Sequence, residues 1–97
     1  MRQSIDDILQ SRASKYGEFI NVSHIAQDIK RVIHAADQQR LPSKGQTGLD
    51  DDQMEALEMI ANKIGRILNG DPYYVDSWDD IAGYAKLVSD RLRECGL

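Results

Sequence analysis

Residues 50–72 read DDDQMEALEMIANKIGRILNGDP, and this stretch decides the fold class. Asp50 and Gln53 have the spacing of a capping box, in which each side chain bonds the other's backbone amide. Leu49 and Met54 stand where a hydrophobic staple would pack. Behind this start, Met54, Leu57, Ala61, Ile64 and Leu68 recur at helical spacing, which puts them on one face. Ala56, Ile60 and Ile67 widen the row into an arc expected to be buried. Gly70 is placed to end the helix in the left-handed conformation, and Pro72 follows where a helix cannot continue. The stretch predicts a helix over 50–69.

Reading outward from it, three more helices emerge. Asp76 is placed to cap a helix ending near Cys95, with Trp78, Ile81, Ala85, Val88 and Leu92 on one apolar face. Gly83, Tyr84 and Leu87 lie on the far side, so packing on two sides is expected there, with Asp80 turned towards the second packed face. Toward the amino terminus, a helix opens around Asn21 or Ser23 and ends near Asp37, carrying Val22, Ile25, Ile29, Val32, Ile33 and Ala36. A first helix begins at Ser4, whose spacing to Asp7 matches a capping box. It carries Ile5, Ile8 and Leu9 and fades near Tyr16-Gly17. The segment 38–49, with Pro42, Gly45 and Gly48, is the longest expected loop. No internal repeat is present. The reading is an all-α, four-helix single domain over residues 1–97.

Composition narrows the function classes. The chain has 97 residues, 41% of them hydrophobic and 29% charged, which is ordinary for a globular domain. No apolar run nears the ~18 residues of a membrane span, and the first residues lack the apolar core of a secretory signal. A cytoplasmic location is expected. Cys95 is the single cysteine, so no internal disulfide or thiolate metal cluster can form. A net charge of −4 removes the broad basic field of a protein that grips nucleic-acid backbones. Local lysines and arginines can still hold one small phosphate.

Several residues could carry chemistry. Glu55, Glu58, Asn62 and Arg66 share the polar stripe of the third helix, and two carboxylates one turn apart can ligate Mg²⁺. A solvated helix face explains the same spacing. Asp76 is either a metal ligand or a helix cap. A carboxylate turned towards packing, as expected of Asp80, needs a partner: a metal, several donors, or a buried salt bridge to Lys63 or Arg66. Tyr73 and Tyr74 lie beside these acids and can stack on a base or simply pack; Trp78 is expected in the core. His24 and His34 have no partner at metal-ligand spacing and are expected on helix surfaces. Nucleophile-elbow, phosphate-loop and dinucleotide-binding glycine motifs do not occur.

Three blocks carry a resemblance: Arg12–Phe19 (RASKYGEF), Glu55–Pro72 (EALEMIANKIGRILNGDP) and Asp76–Ala85 (DSWDDIAGYA). Together they look like a family of short phage and prophage proteins. More remotely, the Lys-x-x-Arg helix followed by Asp-x-x-x-Asp-Ile-Ala-x-Tyr is similar to phage nucleotide-modification-associated domains and to MazG-like all-α nucleotide pyrophosphohydrolases. That resemblance implies a MazG-like bundle and a Mg²⁺ ion that neutralises a triphosphate during release of pyrophosphate; a homo-oligomer is expected because so short a chain can complete a site across a subunit interface. The resemblance implies a metal set of Glu55, Glu58, Asp76 and Asp80, with Glu58 and Asp80 catalytic. Lys15, Tyr16, Lys63, Arg66 and Tyr84 would lie near the nucleotide. Met54 stands where those enzymes carry the first glutamate of Glu-Glu-x-x-Glu, and Ser77 stands three residues before Asp80.

Two function classes follow from this reading. One is a phage-type nucleotide-handling protein, a Mg²⁺-dependent nucleoside triphosphate pyrophosphohydrolase or a nucleotide binder. The other is a non-catalytic helical module that binds a host or phage protein, or another copy of itself.

Overall fold

The computed structural model describes residues 4–40 and 48–96, which form four α-helices and, among the described residues, no strand. The helices are α1 (Ile5–Tyr16), α2 (Phe19–Gln38), α3 (Asp51–Asn69) and α4 (Val75–Glu94). Two starts follow their local signals. The Ser4 hydroxyl accepts the Asp7 amide at 3.1 Å, and the Asp50–Gln53 capping box is complete. The chain is an all-α single domain; Pro42 and Gly45 of the expected loop lie outside the described residues.

Three boundary expectations need correction, two because a tertiary contact and one because a local turn overrides the expected signal. Helix α2 starts at Phe19, earlier than Asn21, with Glu18 as a cap that makes no side-chain bond. Gly17 at φ 80° turns the chain directly before it, and Asn69 of α3 donates to the Tyr16 and Glu18 carbonyls, both at 3.3 Å. Helix α4 starts at Val75, one residue before Asp76, because Asp71 builds the preceding turn: its side chain accepts the Tyr73 amide and its carbonyl the Tyr74 amide. Gly70 has φ −131° and is extended instead of left-handed. Its role is close approach, since a Cβ there would collide with the Lys15 carbonyl and Tyr16 backbone. Asp71 N–H bonds that same Lys15 carbonyl at 2.7 Å.

The helices form an open layer with α3 in the middle. Opposite α3 lie α2 on one side and α4 on the other, with no contact between these two flanks, while α1 sits at the carboxyl end of α3. Both flanks run antiparallel to α3. On the α2 side Gly65 meets Val22 and Ala26, Glu58 meets His34, and the Leu49 amide donates to Asp37 at 2.9 Å. On the α4 side Lys63 meets Asp80, and Arg91 reaches Asp50 and Asp52. A Cβ on Gly65 would lie 2.9 Å from the Val22 carbonyl oxygen, so glycine allows the two backbones this separation.

So open a layer buries little. Among the described residues the buried apolar ones are Val22, Ala26, Ala56, Ala61 and Ile67, and no large side chain is fully enclosed. The broad arc expected on α3 is only half covered: Leu68 is 68% and Leu57 39% exposed. On α4, the row facing α3 is Ser77, Ile81, Tyr84, Val88 and Arg91, all buried or half-buried. Trp78, expected in the core, is 52% exposed, and nothing lies within 4 Å of a Cβ on Gly83. Packing on both sides of α4 is therefore not found among the described residues, where α3 is the one helix that packs against it.

Candidate functional site

The candidate carboxylates sit in different surroundings. Glu55 is exposed, while Glu58 is half-buried with His34 Nε2 at 3.7 Å on the α2 side. Asp80 pairs with Lys63 at 2.8 Å on the α4 side. The buried member of that pair is Lys63, whereas Asp80 stands half open to solvent, the reverse of the expectation for Asp80. Asp76 lies at the start of α4 and interacts with the Tyr74 hydroxyl. Among the described residues no three His, Cys, Asp or Glu side chains are grouped to hold a metal ion. The four acids as placed do not make a Mg²⁺ set.

Three of the five expected nucleotide contacts do come together. Lys15, Tyr16 and Arg66 meet Tyr74 where α1, α3 and α4 join. The Tyr16 and Tyr74 rings pack edge to face at 5.8 Å. Arg66 lies over the Tyr16 ring at 4.8 Å and Lys15 over the Tyr74 ring at 4.9 Å, with Lys15 Nζ 3.5 Å from the Tyr74 hydroxyl. Cations over aromatic faces are held by the ring quadrupole, so these side chains order one another. Asp76 pushes the Tyr74 pKa up by stabilising its protonated hydroxyl, and Lys15 offsets part of the effect. Lys63 is on the other flank of α3 with Asp80, and Tyr84 faces α3 half-buried. Beside Arg66, an open cleft of about 680 Å³ runs between α1 and α2, lined by Leu9, Arg12, Tyr16, Phe19 and Val22 among others.

The larger feature is apolar and was missed as a surface. With α3 between two antiparallel flanks, residues a quarter turn from each contact row project to a common side of the layer. These are Ile25, Val32 and Ala36 on α2, Leu57, Ile64 and Leu68 on α3, and Trp78 and Ala85 on α4. Val32 is 70% exposed, comparable with Leu68. The Trp78 indole N–H donates to the Pro72 carbonyl at 2.8 Å, which satisfies its polar edge and leaves the apolar ring presented. The signal was present in the sequence: three helices each carry an apolar row wider than one neighbour can cover. No known protein family, curated protein or solved structure is matched by this chain.

Proposed function

We infer that this protein is a non-catalytic helical interaction module, whose working surface is the apolar side of the α2–α3–α4 layer. One observation carries the reading: Val32, Leu57, Leu68 and Trp78 lie uncovered on the same side of the fold. Scattered exposed apolar residues are ordinary, but a contiguous patch spanning three helices marks a protein contact. No helix is long and apolar enough to cross a membrane, so a bilayer core is not what α2, α3 or α4 enters as a span.

Trp78 is the single tryptophan, which makes the reading directly measurable. In gently isolated protein with its contacts intact, Trp78 emission should be blue-shifted and shielded from acrylamide. The double variant Leu57→Glu/Leu68→Glu should lose that shielding while helical circular dichroism persists. Freely quenched Trp78 in the gently isolated wild-type protein would reject the reading.

The Lys15–Tyr74 and Arg66–Tyr16 pairs favour a second reading, a nucleotide binder. Two cations and two rings beside an open cleft are suited to a phosphate and a base. Nucleoside triphosphates should then raise the melting temperature of wild-type protein but not of Arg66→Ala. The same panel assayed with Mg²⁺ for pyrophosphate release tests hydrolysis, and Arg66→Ala should abolish any turnover. Absence of both a thermal shift and turnover would remove this reading.

A further inference from the structure

We propose that the occupant of the apolar α2–α3–α4 side is a second copy of this chain, so that two open layers close face to face into one helical dimer; the proposal rests on the interaction reading above. The argument starts from area. The chain of 11.0 kDa exposes 7250 Å², against about 5,600 Å² for a compact monomer of that mass. Its radius of gyration is 16.2 Å, against roughly 12–13 Å for a compact domain of this length. The difference in area is roughly 1,600 Å² per chain, and two chains each hiding that much would bury roughly 3,200 Å², inside the range of obligate dimers.

An obligate partner is what this fold requires. Among the described residues the interior is made mainly of alanine, with Val22 and Ile67 as the only larger apolar residues that are buried, so the single layer encloses little of the apolar surface available to it. Val32, Leu57, Leu68 and Trp78 are the large exposed apolar side chains on the open side, and they are shared among all three helices of the layer. A partner needed for folding must be present in equal amount whenever the chain is made, and another copy always meets that condition. Charge permits the pairing. On the outer flanks, Asp28 pairs with Arg31 on α2, and Lys86 pairs with Asp90 at 2.6 Å on α4. Each flank thus holds both signs, and a two-fold arrangement brings no unmatched block of like charge together.

Sedimentation equilibrium of the purified chain over a dilution series, with Trp78 emission recorded in parallel, tests the proposal. The expected result is a monomer–dimer equilibrium in which Trp78 emission moves to the red as dimers dissociate. Leu68→Ala should raise the dissociation constant roughly 100-fold, because the lost contact occurs twice per dimer, and Val32→Ala roughly tenfold. Leu87→Ala, an equally exposed residue half a turn from Trp78 on α4, should leave it unchanged. Both face variants only shorten exposed side chains, so each remains helical. A folded monomer at every concentration overturns the proposal, as does a dimer indifferent to Leu68→Ala and Val32→Ala or weakened by Leu87→Ala. A folded monomer whose Trp78 is shielded only by a different protein rejects the second copy and keeps the interaction reading. A folded monomer with Trp78 open in all states rejects both.

Discussion

The Lys63 ammonium meets the Asp80 carboxylate at 2.8 Å, with the lysine buried between α3 and α4 and the aspartate half open to water. The asymmetry decides what the pair does. Asp80 exists in this packing to satisfy a charge that α4 would otherwise strand, since a buried cation without a partner is costly. Asp80→Asn should therefore destabilise the fold by about 1–3 kcal/mol, the cost of an under-satisfied buried group. Lys63→Met, which removes the buried charge and keeps the stem's volume, should lie within about 1 kcal/mol of wild type. Urea denaturation of both variants checks this. Equal losses in the two would contradict the assignment of Lys63 as the member that needs the partner.

The junction between the α1–α2 turn and the carboxyl end of α3 should be the least tolerant point of the fold. Gly17 combines φ 80° with a position where any Cβ would collide with the Asn69 carbonyl. Gly17→Ala should cost more than about 2 kcal/mol, from backbone strain and displacement of α3 together. Asn69→Ala loses two side-chain hydrogen bonds to the Tyr16 and Glu18 carbonyls and should cost about 1–2 kcal/mol. Hydrogen exchange should show α1 released first in both variants, because α1 contains no buried residue of its own.

Which features were legible follows from the range of the interaction behind each. The four helices, the Ser4 cap and the Asp50–Gln53 box rest on residues a few positions apart, and sequence spacing carries that information. The start of α2 depends on Asn69, about fifty positions away, and the extended Gly70 on Lys15; neither is written locally. Amphipathic rows identified which residues are apolar but not how many neighbours would arrive to cover them, so Trp78 and Leu57 were assigned to a core. At the candidate site, Lys15, Tyr16 and Arg66 were named and do meet, while Tyr74 became their centre through tertiary packing. Lys63 is one of the two salt-bridge partners that the sequence offers Asp80. Which partner is buried depends on which helices come to pack against α3 and α4, and periodicity does not specify that.

Acid should loosen the amino end of α3 through Arg91. Its guanidinium donates to Asp52 and to Asp50 at 2.9 Å each, tying the end of α4 to the start of α3. Hydrogen bonding to Arg91 is the main cause that holds the Asp52 pKa below the ordinary value of 3.8. A carboxylate with a depressed folded pKa contributes stability above its unfolded pKa, and that contribution disappears as pH falls through the folded value. Wild-type stability should decline below pH about 4. Arg91→Gln should be less stable at neutral pH and show a shallower acid decline, measured as denaturation midpoints against pH. An unchanged acid slope would separate Asp52 from the effect.

Alkali should act at the opposite end, through Tyr74. Interaction with Asp76 raises its pKa above the ordinary 10.0, and Lys15 pulls against that rise. A raised folded pKa means the native state holds the proton more tightly, so the stabilisation is complete below the unfolded pKa and is lost as pH rises through the folded one. Tyrosinate absorbance should show one of the four tyrosines titrating later than the rest. Asp76→Asn should bring that late component back towards its companions, and Lys15→Met should delay it further. Stability measured from pH 9 upward should fall through the same window in the wild type and fall less in Asp76→Asn. Should the late tyrosine persist in Asp76→Asn, the carboxylate would not be its cause, and Asp76 would return to the role of an ordinary acidic residue in the first turn of α4.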